Sequence, residues 1–282
     1  MIFAFSVAIL LKKLLRWIMD FRDFFNESEK TLDKLVDDGG FCSIFRTIAC
    51  VGDSLSSGEF EHKWIEGHHL FLDMFEYSWG QFMARTLGST VYNFSRGGMT
   101  AGEYLDSFAE EKGFWDKDKA CQAYIFALGV NDIMNCGIEV GTIDDIKDDY
   151  RKNSKTFAGQ YGAIIQRYKE IQPNAKFFLI TMPKDIKYHP DEKKKEVADL
   201  LHSISEKFDN CYVLDFYKYA PVYDEFFQEK FMLHGHLNPC GYALTAKMVM
   251  SYIDYIIRHN IQDFTKVGFI GKEHLTEESL YD

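Results

Sequence analysis

From 122 to 128 the chain is almost wholly apolar, with no polar alternation. A strand that is apolar on both faces has to be covered on both, which requires a parallel sheet between two helical layers. Similar short runs stand at Phe45–Val51, 89–93, Lys176–Thr181 and Tyr212–Leu214. Between them lie stretches with helical spacing at 76–87, 101–110, 142–172, 191–208 and 242–259. An amphipathic stretch at 20–36, ending near Gly39-Gly40, precedes the first strand. Strands alternating with helices predict a three-layer α/β/α domain with a five-stranded parallel sheet. Ligand sites in such sheets lie at the carboxyl ends of the strands.

Those ends carry the residues with chemistry. The first apolar run enters Gly52-Asp53-Ser54-Leu55-Ser56, where a tight turn can lift a serine hydroxyl to the sheet edge. Asp53 can accept local backbone N–H groups. Gly, Asp and Ser are equally ordinary turn residues, so this stretch alone leaves both readings open. The second run leads to Asn93-Phe94-Ser95-Arg96-Gly97-Gly98, and the third to Gly129-Val130-Asn131-Asp132. Before the last helical stretch stands His234-Gly235-His236-Leu237-Asn238-Pro239. Acyl transfer through serine needs a nucleophile, a base for its proton, and donors for the developing oxyanion. Each requirement has a candidate at a strand end.

These four segments, in this order, resemble the SGNH hydrolases, also called GDSL esterases and lipases. The resemblance covers residues 44 to about 258. It implies a flavodoxin-like fold with Ser54 as nucleophile and His236 as general base. It implies an oxyanion hole of the Ser54 and Gly98 N–H groups and the Asn131 side chain. One position departs from the pattern. The family usually places an aspartate three residues before the histidine, and here that residue is Leu233. A ring nitrogen still needs an acceptor to fix its tautomer. A main-chain carbonyl near Met232 or Leu233, or the carboxylate of Asp215, Glu59 or Glu229, can serve. Without a carboxylate, catalysis is expected to weaken rather than vanish.

The division of the chain is expected as an N-terminal helical extension (1–40), the hydrolase domain (41–260) and a C-terminal tail (261–282). Residues 59–77 read as an insertion directly after the nucleophile turn, overhanging the pocket. Its Trp64, His68 and Phe71 are candidate substrate contacts, and packing of the insertion onto the core explains its aromatics equally well. His62, His68 and His69, or His234 with His236, lack the companions of a metal site, so no metal and no cofactor is expected. The charge balance of 32 Lys and Arg against 43 Asp and Glu, net −11, argues against nucleic acid and anionic membranes.

Six cysteines without CxxC spacing read as buried free thiols in a reducing compartment, hence a cytoplasmic location. Met1–Leu11 is apolar, but Lys12 and Lys13 interrupt it too early for a stable membrane span. Three readings of the N-terminus stay open: Met19 as the natural start, a docking helix, or an interfacial anchor. The N- and C-terminal extensions are candidate contacts of a homo-oligomer. The pairs Asp144-Asp145 and Asp148-Asp149, and Lys193 to Lys195, read as solvated helix faces.

The expected function is a serine esterase hydrolysing small acyl esters, acetyl foremost, of a carbohydrate or similar polar alcohol. The substrate would be a small molecule or an oligosaccharide. The alternatives are a lysophospholipase or thioesterase of the same family, or a non-catalytic binding protein on the hydrolase fold.

Overall fold

The computed structural model describes residues 28–65, 68–186 and 190–272, and within them the side chains of all but 63–69. The first 27 residues, with the apolar start and positions 20–27 of the expected 20–36 helix, lie outside the described residues.

Strand β1 (Thr47–Gly52) leads into the one-turn helix α1 (Ser54–Ser57). A hairpin follows, β2 (Glu59–Ile65) and β3 (His68–Asp73), then α2 (Trp79–Leu87) and β4 (Thr90–Ser95). Next come β5 (Ala123–Ala127), α3 (Phe157–Ile171), β6 (Lys176–Ile180), α4 (Asp191–Lys207) and β7 (Cys211–Leu214). Helix α5 (Glu225–Phe231), the two-residue strands β8 (Met232–Leu233) and β9 (His236–Leu237), and α6 (Pro239–His259) complete the domain.

Five strands form one parallel sheet in the order β4-β1-β5-β6-β7. Alternation along each strand sends Ala49 and Val51 to one face and Ile48 and Cys50 to the other. The first face packs on α3, α4 and the helical stretch 101–111, which includes a π-helical turn at Tyr104–Phe108. The second packs on α2 and α6. The register places Gly52 beside both Ser95 and Ala127, so β1, β4 and β5 end level. The three motif segments that follow them therefore share one edge.

Two expected helices differ. The stretch 142–172 is helical in α form only from Phe157, because polar side chains upstream close turns instead. Asp145 accepts the Thr142 N–H at 2.9 Å and the Thr156 hydroxyl at 3.0 Å, and Asp149 accepts the Arg151 N–H. Asp145 and Asp149 are thus turn caps rather than members of a solvated helix face. Residues 28–39 contain no helix either. They are tied to α6: the Val36 N–H donates to Ser251 Oγ, and the Arg258 guanidinium pairs with the Glu29 carboxylate at 2.6 and 3.1 Å. Past α6, Phe264, Val267 and Ile270 are buried against the second face, so the tail wraps the domain as far as it is described. Cys42, Cys50, Cys121 and Cys211 are buried, Cys136 and Cys240 exposed, and all are free. Among the described residues no helix is long and apolar enough to cross a membrane.

Candidate active site

Ser54 is the first residue of α1, and Asp53 is its cap. The Asp53 carboxylate accepts the Leu55 N–H at 3.1 Å, and its carbonyl accepts those of Ser56 and Ser57. This capping holds Ser54 half-buried at the sheet edge. Asp53 itself is buried, and that burial pushes its pKa up to about 7.

Beyond β4 the chain turns through Arg96-Gly97-Gly98-Met99, closed by the Met99 N–H on the Arg96 carbonyl. Gly98 stands at φ +73°, a left-handed conformation that favours glycine. The segment after β5 is laced to this turn. The Asn131 amide donates to the Met99 carbonyl at 3.2 Å and accepts from Asn135 Nδ2 at 2.7 Å. Asp132 Oδ1 accepts the Ala101 N–H at 2.8 Å, and burial pushes the Asp132 pKa up to about 6.

His236 lies on β9, directly opposite Leu233 on β8. The ring is bracketed by two carboxylates from β2. Nδ1 stands 3.4 Å from Glu61 Oε2 and Nε2 stands 3.3 Å from Glu59 Oε1. All three side chains are shielded, at 15% exposure or less. Burial works against the charged ring, and the Glu59 and Glu61 carboxylates outweigh it, so the His236 pKa is raised above the ordinary histidine value. Phe71, on β3 opposite Glu61, packs its ring edge-on to His236 at 5.7 Å.

Ser54, Asn131 and His236 line one cavity of about 260 Å³, with Leu55, Val130 and Met182 among its apolar walls. Gly98 sits in the neighbouring turn to which Asn131 is bonded. The same cavity reaches Lys194 and Asp185, an ion pair whose lysine is only 1% exposed. Lys194 therefore does not belong to a solvated face, unlike Lys193 and Lys195, which pair with Glu196 and Asp199 on the surface. Of the acceptors weighed for His236, Glu59 is at hand. Asp215 is engaged with His202 and Thr181, and Glu229 is paired with Lys230 on the surface. Glu61 was not among them: no local motif marks a carboxylate so far away in the chain. The Trp64 and His68 side chains lie outside the described set.

The model of the GDSL-like lipase/acylhydrolase family matches residues 50–244. The chain belongs to this family. It is accordingly a hydrolase of ester bonds. No curated protein sequence matches it. Solved structures of similar fold do. A family two carbohydrate esterase from Clostridium thermocellum, in complex with cellohexaose, is similar with a TM-score of 0.52 at 16% identity. The match covers 77% of this chain and 65% of that one, a little under two thirds of its length. A carbohydrate esterase family 2 enzyme with a carbohydrate binding domain, from Corynascus thermopiles (Myceliophthora fergusii), is similar with a TM-score of 0.52 at 14% identity. That match covers 76% of this chain and 67% of the other. At such identities the likeness is one of fold.

Proposed function

We propose that this GDSL-family hydrolase removes short acyl groups, acetyl foremost, from a carbohydrate or similar polar alcohol through an acyl-Ser54 intermediate. The observation that carries the proposal is the convergence of Ser54, Asn131 and His236 on one small cavity at the carboxyl edge of the sheet. Ser54 Oγ attacks the ester carbonyl while His236 Nε2 takes its proton. The tetrahedral oxyanion is held by the Ser54 and Gly98 N–H groups and Asn131 Nδ2. Collapse breaks the bond to the alkoxy oxygen, which leaves with the proton from His236. Water, deprotonated by the same imidazole, then splits the acyl-serine and releases the acid.

Two features favour this substrate class. The cavity that Ser54 lines is small, about 260 Å³. Its lining includes the polar Asn135, Gln228 and Asp185, which suit a hydroxyl-bearing alcohol. The carbohydrate esterases that share the fold point the same way. The missing aspartate at Leu233 was the motive for a non-catalytic reading, and two glutamates now stand beside the ring.

The test is hydrolysis of 4-nitrophenyl acetate against the octanoate ester, wild type beside Ser54→Ala. Acetate turnover is expected to dominate and to fall at least about 10³-fold in the mutant. Full turnover in Ser54→Ala would overturn the mechanism, and a preference for octanoate would move the substrate to longer acyl chains.

A further inference from the structure

Glu59 and Glu61 stand two residues apart on β2, so both side chains leave the same face of the strand. That face meets the loop carrying His236, and each carboxylate nests against a glycine of a motif segment. A Cβ on Gly97 would overlap Glu59 Oε2, and a Cβ on Gly235 would lie 2.7 Å from Glu61 Oε2. Any larger residue at either position would displace a carboxylate from the histidine.

The two carboxylates are not equivalent. The Gly235 N–H donates to Glu61 Oε2 at 2.8 Å, and the same oxygen faces His236 Nδ1. Glu61 is thereby tied to the backbone residue next to the histidine it contacts. Glu59 faces Nε2, the nitrogen that has to receive the Ser54 proton. When the ring is neutral with its proton on Nδ1, the Nε2 lone pair and the Glu59 carboxylate repel each other. Glu61 and an Nδ1 proton attract. Only Glu61 stabilises the tautomer that leaves Nε2 free to act as a base, and it also stabilises the imidazolium formed afterwards.

We propose that Glu61, carried on the insertion hairpin, is the positioning residue of His236 and takes over the task of the acid absent at Leu233. This rests on the catalytic reading of Ser54 and His236 given above. The geometry also gives the insertion a purpose. The hairpin supplies the Nδ1 acceptor from β2 and, through Phe71 on β3, a wall against the ring. Among the described residues, the charged and titratable groups facing the imidazole are Glu59 and Glu61 from β2 and Asp53 from the turn after β1.

The experiment compares Glu61→Gln, Glu59→Gln, Ser54→Ala and His236→Ala on 4-nitrophenyl acetate from pH 5 to 9. Ser54→Ala and His236→Ala come first, and turnover surviving in either sinks the underlying mechanism rather than the role of Glu61. With both inactive, Glu61→Gln is expected to lower kcat by on the order of 10²-fold or more, with KM little changed. Its acid limb is expected to move to lower pH, because a charge that favours the imidazolium is gone. A merely structural role would not move that limb. A kcat within about twofold of wild type with an unmoved limb, or a larger kcat loss in Glu59→Gln than in Glu61→Gln, overturns the proposal. One measurement needs no variant. The ¹⁵N shifts of neutral His236 in the intact protein are expected to report the Nδ1–H tautomer, and the Nε2–H tautomer would refute the assignment.

Discussion

At the scale of single residues, Lys194 shows how much a neighbour can mislead. It sits between two surface lysines, yet it falls on the stripe of α4 that carries Val197, Leu201 and Ile204, all buried. Helical spacing places 194 with 197 and 201, so its burial was legible from period alone, had the charge run not been read as one block. What it pairs with was not legible, since Asp185 lies in the loop after β6. A buried ammonium is tolerated only with a partner. Lys194→Met removes that partner from Asp185, whose side chain is 12% exposed. The expected loss is about 3 kcal/mol of stability, read from urea unfolding. Stability equal to wild type would mean that the pair contributes nothing net. Ser54, Asn131 and His236, the residues of the proposed mechanism, were all readable from motifs, because each follows a strand and a turn. Glu61 was not, because its contact with His236 spans 175 positions and no local rule links them.

At the scale of elements, the strands were predictable because both faces of the sheet are covered, which leaves long apolar runs to read. The helix expected from 142 does not form before Phe157, for the opposite reason. Its first part carries enough acidic and hydroxyl side chains to satisfy backbone donors locally, and those bonds compete with the helical ladder. Most consequential is the hairpin of β2 and β3, which pairs with no strand of the main sheet. One fastening is the Tyr242 hydroxyl of α6, which donates to the Glu59 carbonyl at 2.6 Å. The Phe60 ring packs edge-on against the same tyrosine at 5.6 Å. Tyr242→Phe keeps the ring contact and deletes this hydrogen bond, together with the hydroxyl's longer one to the Ser54 carbonyl at 3.4 Å. It is expected to cost about 1 kcal/mol or somewhat more, seen as a lower Tm. It should also lower kcat several-fold, because β2 carries both carboxylates that bracket His236. A lowered Tm with unchanged kcat would show that other contacts set the position of the hairpin.

For the whole molecule, the buried titratable groups at the sheet edge act in one direction. Burial raises Asp53 to about 7 and Asp132 to about 6, against an ordinary aspartate near 3.8. Each holds a proton in the folded state that the unfolded chain has already released, so stability falls as pH rises through that interval. His236 is also raised, in its case by Glu59 and Glu61 against its own burial. A histidine with a raised folded pKa contributes stability that is complete below its unfolded value and is lost as pH climbs through the folded one. Half-exposed His202, raised by its bond to Asp215, adds weakly in the same sense. The lowered carboxyls Asp145, Asp149 and Asp215 act near and below pH 4 and leave the interval above untouched. In the proposed mechanism activity runs the other way, since proton abstraction from Ser54 would require neutral His236. The hydrolase is therefore expected to be most resistant to denaturant near pH 5, where it is least active, and to lose resistance toward pH 8 as turnover rises. Urea midpoints and kcat/KM taken together at pH 5, 6, 7 and 8 check this directly. Midpoints that rise with pH across that range would mean that Asp53 and Asp132 are ionised in the folded protein and stabilised by partners the present geometry does not give them.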